Sequence, residues 1–200
     1  MKSTPLLFSG PMIRALLDGR KTMTRRVVKY IPMLVEPLAW CAAARAQEPG
    51  WVHIVGDYRR FCPYGQPGDE IWCKETFCIS ADGIDNTIAF RADGWTECPS
   101  PIGKWTPSIF MPRAASRISL GITAVSVERV QEISEADAKA EGAPEPTGLR
   151  GCYPAPWATA KAGPLDYRAS YRILWDEING AGSWARNKFV WVISFRRVKP

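Results

Sequence analysis

"RISLGITAVSVERV" (Arg117–Val130) decides how this chain is read. Ile118, Leu120 and Ile122 alternate in one phase, and Val125 and Val127 take the other. Period-two alternation marks a strand with one face buried. The phase slips near Gly121, where a bulge would bend the strand, as a small barrel requires.

Working outward, "KFVWVISFRRV" closes the chain as a second strand, with Phe189, Trp191, Ile193 and Phe195 on one side. Ahead of it, "LDYRASYRILWDEING" is an amphipathic helix: Tyr167, Tyr171, Leu174, Trp175 and Ile178 share a face and Asn-Gly stops it. "SEADAKAEG" (Ser134–Gly142) is a short helix with Ser134 and Asp137 as its capping box. At the other end, "PLLFS" (Pro5–Ser9) is an opening strand and "GPMIRALLDG" a helix, with Pro11 in its first turn and Gly19 at its end. "QPGDEIWCKETF" is a turn and a strand, and "NTIAFRAD" another strand. "CPSPIGKWTPSIFMPR" is a loop anchored by Trp105, Ile109 and Phe110, and "WVHIVGDYRR" a strand inside an insertion.

Strands and helices do not alternate regularly, so a doubly wound parallel sheet is disfavoured. The expected fold class is α+β: a small mixed β-barrel with helices packed on it, one domain over residues 1–200, carrying insertions near 30–65, 80–112 and 143–164. A hydrophobic fraction of 46% supports a sizeable core without covalent staples. Lys and Arg number 26 against 20 Asp and Glu, a net +6 that favours an anionic partner. Nine tryptophans are available for core or for stacking on bases. No signal peptide is read at the N-terminus and no run reaches the ~20 apolar residues of a membrane span. A soluble, cytoplasmic protein with mostly reduced cysteines is expected, with no membrane partner. Cys62, Cys73, Cys78 and Cys98 lack Cys-x-x-Cys spacing, and buried apolar thiols account for them more simply than a zinc site.

Between the first helix and the next strand runs "GRKTMTRR" (Gly19–Arg26). It resembles the signature of the ASCH family, Gly-x-Lys-x-x-(Glu or Thr)-x-Arg, at Gly19, Lys21, Thr24 and Arg26. The "PGDEIW" turn, the "SEADAKAEG" helix and the closing "VWVISFRRV" strand follow in that family's order. The resemblance covers about half the chain and is closest in character to ASCH-like proteins of phages and prophages. It implies a PUA-like barrel with a cleft beside the first helix. One branch resembles N(4)-acetylcytidine amidohydrolases and carries Thr in the signature, as here. That likeness implies Lys21, Thr24 and Glu141 as the catalytic set, with Arg26, Glu75, Phe8 and Ser9 contacting substrate.

The residues suit that chemistry. A threonine hydroxyl needs an adjacent base to attack an amide. Lys21 serves only when neutral, and burial or the like charges of Arg20, Arg25 and Arg26 lower a lysine pKa. A charged Glu141 close by would oppose this, so its expected part is to share a proton, stabilise the tetrahedral intermediate and donate to the leaving amine. No metal or other cofactor is required, in keeping with His53 as the single histidine. Lys21 and Thr24 converge on a turn but diverge on an extended strand.

Blander roles exist for each. Lys21 caps a helix dipole, Thr24 is an ordinary strand residue, Glu141 ends a helix, and Arg26 pairs with Glu75 across the barrel. Two other functions fit the same residues. A non-catalytic RNA-binding or nucleotide-sensing module would track phosphates with Arg25, Arg26, Arg59, Arg60, Arg196 and Arg197. A ribonuclease would use Lys21 on phosphate charge and Glu141 as acid or base. The expected partner is thus a modified nucleoside or RNA.

Overall fold

The computed structural model describes residues 1–28, 62–79, 88–99, 103–146 and 166–198. Seven strands and three helices lie within them. In chain order they are β1 (Ser3–Leu7), α1 (Gly10–Leu17), β2 (Met23–Val27), β3 (Glu70–Lys74), β4 (Phe77–Ile79) and β5 (Ile88–Phe90). β6 (Ser119–Arg129), α2 (Glu135–Ala140), α3 (Tyr167–Asn179) and β7 (Phe189–Val198) follow. The main sheet has the order β1-β3-β6-β7-β2, and β4 and β5 form a separate hairpin. β1 runs parallel to β3; every other pairing is antiparallel.

β6 and β7 form the spine, paired from Ser119–Val198 to Arg129–Phe189. The register shifts between Ile122 and Ala124, one residue beyond the glycine where the sequence pattern slips. The shift explains the pattern. Ile118, Leu120 and Ile122 before it and Val125 after it are all buried in one cluster, so the bulge returns the second phase to the same face.

That cluster holds Trp191, Ile193 and Phe195 of β7, Leu6 and Phe8, Ile71 and Cys73, with Ile13 and Leu16 of α1 laid over them. The opposite face of β7 is also covered. Val190 and Val192 meet Val130, Ile133, Ala138, Tyr171 and Trp175 from the region of α2 and α3. β7 is therefore apolar on both faces, whereas the sequence reading buried only one. A third cluster, Phe77, Met111 and Ala115, sits under the hairpin.

β1 and β2 are the two edges of the main sheet, and no ladder joins them among the described residues. The expected closed barrel is therefore not formed there. The sheet does curl until the edges come within reach of a side chain: Arg26 Nη2 on β2 donates to the Leu7 carbonyl of β1 at 2.7 Å. Five strands with a strong bulge bend the sheet, and one arginine spans the remaining gap.

Other expectations need correction. Ile109 and Phe110 are 61% and 71% exposed, so the loop they belong to is anchored by Met111 instead. Ile178 at the end of α3 is half exposed. Cys78 and Cys98 form a disulfide rather than reduced thiols, while Cys62 and Cys73 are free and buried. The strand expected at "WVHIVGDYRR" lies outside the described residues. No helix among the described residues is long and apolar enough to cross a membrane.

Ile193 is fully buried at the centre of the spine. Ile193→Ala should destabilise the protein by about 2–5 kcal/mol, from lost burial plus the cavity left behind. Chemical denaturation measures it. The exposed Ile178→Ala should cost under ~1 kcal/mol in the same assay.

Candidate active site

α2 ends in a way that fixes Glu141. The Ala143 N–H donates to the Ala138 carbonyl and the Gly142 N–H to the Lys139 carbonyl, at 3.2 and 2.9 Å. This is a Schellman closure with Gly142 left-handed at φ +80° and Ala138 packed in the same cluster as Ala143. Glu141 is the C-cap residue. Helix ends leave carbonyls without intrahelical partners, and here the segment leading into β2 supplies donors. The Thr22 N–H donates to the Ala140 carbonyl at 2.9 Å, and Lys21 Nζ to the Glu141 carbonyl at 2.6 Å. The Lys21 side chain thus caps α2, while its backbone N–H donates to the Ala15 carbonyl of α1 at 3.0 Å. At the start of α2 the Ser134 hydroxyl accepts from the Asp137 N–H at 3.1 Å, as the sequence implied.

The same ammonium donates to Glu141 Oε2 at 2.8 Å. Both side chains are buried, at 0% and 3% exposure. Burial is the strongest influence on Lys21 and lowers its pKa; attraction to Glu141 opposes that, and Arg26 and Arg25 add to the lowering. Nζ has three hydrogen-bond positions, and Glu141 takes two of them. Lys21 and Thr24 make no direct hydrogen bond in this arrangement. Thr24 is buried on β2, paired with Ile193 of β7.

Alternation along β2 separates its two arginines. Met23 and Val27 pack on the α2–α3 side, and Arg25 shares that phase. Its side chain is fully buried. Nε donates to Glu128 at 2.8 Å, Nη2 reaches Glu128 and Asp137, and Nη1 donates to the second oxygen of Glu141 at 3.3 Å. Despite its desolvation, attraction to Glu141 and Glu128 holds the Arg25 guanidinium above its ordinary pKa. Arg25 is therefore a structural cation; it has no face free to follow a phosphate chain. The sequence reading missed Glu128 as its partner. The signal available was the even spacing of Glu128 along β6, which says only that it shares a face with Ser126.

Arg26 points the other way, with Thr24. Its guanidinium carbon lies 5.4 Å from the centre of the Phe8 ring, and Nη2 makes the bond to Leu7. Nε is buried and has no partner among the described residues. Arg26 does not meet Glu75. That carboxylate is held by Arg117 at 2.9 and 3.0 Å, and Arg117 also binds Asp93 and lies over the Phe90 ring. Glu75 is a buried strut for the β4–β5 hairpin region, not a neighbour of Arg26. Ser9 is exposed and is the N-cap of α1, without a side-chain cap bond. Arg196 and Arg197 are exposed at the end of β7; Arg59 and Arg60 lie outside the described residues.

Lys21, Arg25 and Glu141 thus come together at the edge strand β2 from two distant parts of the chain, and Thr24 and Arg26 lie on the other face of that strand. A scan against protein-family models, a search of curated proteins and a search of solved structures each find no match.

Two predictions test this geometry. A Cβ on Gly142 would lie 3.0 Å from the Ala15 Cβ and 3.4 Å from the Lys21 Cβ, besides the strain of φ +80°. Gly142→Ala should cost about 2–4 kcal/mol, backbone strain plus overpacking. Gly68 has a similar φ, +95°, with nothing near its Cβ position. Gly68→Ala should cost only ~1–2 kcal/mol, and equal losses of stability would contradict the close approach.

The second concerns pH. Lys21 has a folded pKa below its ordinary 10.5, so between those two values the unfolded chain binds more protons. Its contribution to stability therefore rises with pH across that window, by up to ~1.4 kcal/mol per pH unit. Wild type minus Lys21→Met, compared by denaturation from pH 8 upward, isolates the term from the buried tyrosines. A flat difference would contradict it.

Proposed function

We propose that the protein is an amidohydrolase acting on an N(4)-acylated cytosine nucleoside or a related modified nucleoside, on a PUA-like ASCH scaffold. The observation that carries this reading is the buried Lys21–Glu141 pair, 2.8 Å apart, with Lys21 three residues before the buried Thr24 of β2. The fold supports it in outline: a strongly curled sheet with α1 over its concave face and the signature segment on an edge strand.

The proton balance runs through the pair. Moving one proton from the Lys21 ammonium to Glu141 leaves a neutral amine and a carboxylic acid, with no net charge change. The amine takes the proton of the Thr24 hydroxyl as its oxygen bonds to the acyl carbon. The Glu141 acid protonates the exocyclic nitrogen, the C–N bond breaks, and the cytosine amine leaves. Lys21 is then an ammonium, Glu141 a carboxylate and Thr24 an ester. Water attacks the ester and gives its proton to Glu141, while Lys21 returns one to the threonine oxygen. The sum is amide plus water to acid plus amine. A buried pair suits this cycle because low dielectric narrows the gap between its ionic and neutral forms. Thr24 and Lys21 must come into hydrogen-bond contact in the substrate complex, as reacting groups in free enzymes do when they close on substrate.

The reading as a non-catalytic RNA-binding or nucleotide-sensing module is supported by the exposed Arg196 and Arg197. It loses Arg25, whose side chain is consumed by three carboxylates.

Cytidine released from N(4)-acetylcytidine, followed chromatographically, tests the proposal. Lys21→Ala and Thr24→Ala should each lower kcat/KM by about 10²–10⁴-fold. Thr24→Ala should leave the thermal transition within a few degrees of wild type. Wild type and both variants sharing the uncatalysed rate would sink the hydrolase reading.

A further inference from the structure

Arg26 and Lys74 line one pocket of about 330 Å³, with Pro5, Leu6, Leu7, Tyr64 and Ile109. That is the small end of the ~300–1,000 Å³ range of ligand pockets. None of these lining residues is acidic. A protein arginine usually meets a carboxylate when it is withdrawn from water. Arg25, its neighbour, meets three. Arg26 meets none: its one hydrogen bond among the described residues goes to a neutral carbonyl, and its buried Nε is unpartnered. Desolvation lowers its pKa, and attraction to Tyr64 and to the more distant Glu141 offsets this only in part. The Lys74 ammonium binds the Ile109 carbonyl and lies 5.4 Å from the Trp72 ring, with no carboxylate partner among the described residues. Two cations facing one small pocket, neither paired with a carboxylate among the described residues, make that pocket suited to an anion.

We propose that this pocket binds a phosphate group, and that the substrate is accordingly a nucleotide or a phosphate-flanked residue of RNA rather than a free nucleoside. The inference rests on the nucleoside reading of the neighbouring Lys21–Thr24 site for the identity of the base. The phosphate itself rests only on the two cations. Arg26 lies two positions beyond Thr24 on the same face of β2, so a phosphate there anchors a ligand whose acyl group reaches Thr24. An arginine fork suits phosphate because its planar donors match two of the oxygens. Lys74 sits nearer the rim, beside the exposed Ile109, and adds a point charge. The apolar walls from β1 and Tyr64 exclude water from the ion pair and strengthen it.

Calorimetric titration of the full chain at low salt tests this with four probes. They are cytidine, cytidine 5′-monophosphate, inorganic phosphate, and a short oligocytidine lacking terminal phosphates. The monophosphate should bind at least ~10-fold more tightly than cytidine, inorganic phosphate should compete with it, and the advantage should shrink as salt rises. Arg26→Gln and Lys74→Ala should each remove most of that advantage. Lys74→Ala keeps the test valid if Arg26→Gln, which also unties β1 from β2, fails to fold. An oligocytidine that matches the monophosphate identifies the diester of RNA as the source; a clear preference for the monophosphate identifies a nucleotide. Equal affinity for cytidine and its monophosphate, failure of inorganic phosphate to compete, or an advantage that survives both substitutions would overturn the inference. If N(4)-acetylcytidine is not hydrolysed while the monophosphate still binds in preference, the hydrolase reading falls and the phosphate pocket stands. If the acetylated nucleoside and its phosphate are hydrolysed with equal kcat/KM, the pocket falls alone.

Discussion

One carboxylate between two buried cations organises this end of the molecule. Glu141 gives one oxygen to Lys21 and the other to Arg25, and its backbone carbonyl to Lys21 as well. Moving such charges from water costs several kcal/mol for each ion unless each meets an opposite charge at good distance. Lys21 meets Glu141, and Arg25 meets Glu141, Glu128 and Asp137, so each of these two buried cations has a carboxylate in reach. Removing Glu141 would leave the buried Lys21 ammonium without its ion-pair partner. The network is thus a poor source of net stability and a strong source of specificity. It admits one placement of α2 against β2, and that placement brings position 141 to position 21 across 120 residues of chain.

The Schellman closure and the ion pair support each other. Gly142 lets the chain turn at φ +80° and approach Ala15 without a side chain between them. The turn leaves the Glu141 carbonyl directed at Lys21, so the lysine satisfies a helix end and a side chain together. A lysine held by two acceptors on one residue has little freedom, and its desolvation lowers its pKa against the pull of Glu141. The same geometry can be read as a cap or as a poised base, because capping and activation both require a dry, fixed ammonium.

Much of the fold was legible because periodicity reports burial directly. The slip at Gly121 became a register shift, "GPMIRALL" became α1, and Ser134 caps α2. What failed was whatever depends on long-range closure. Alternation within β1 and β2 says which face is buried but nothing of whether their edges meet, so barrel and open curl share one pattern. The apolar residues Ile109 and Phe110 read as anchors because hydropathy carries no information on which neighbour in a proline-rich loop turns inward; Met111 does. In the site, the spacing of Lys21 and Thr24 was visible, and the resemblance named Glu141. The opposite fates of Arg25 and Arg26 follow from strand alternation alone, had the strand been given its start at Met23. Their partners could not be read, since Glu128 and Leu7 are each brought in by the sheet.

An open seam has consequences that a closed barrel would not. Two edge strands expose unpaired backbone groups, and proteins cover such edges or pair them. Here Arg26 covers the gap with a single hydrogen bond to Leu7, and a guanidinium has five N–H donors. A ladder between β1 and β2 would satisfy the edges and leave no room for a side chain. A gap spanned by one arginine holds the edges together and leaves its buried Nε without a partner among the described residues. The incompleteness of the sheet and the surplus of positive charge are therefore one feature. The edge strand that makes no ladder with β1 among the described residues is the strand that carries Thr24, so alternation places the Thr24 and Arg26 side chains on one face.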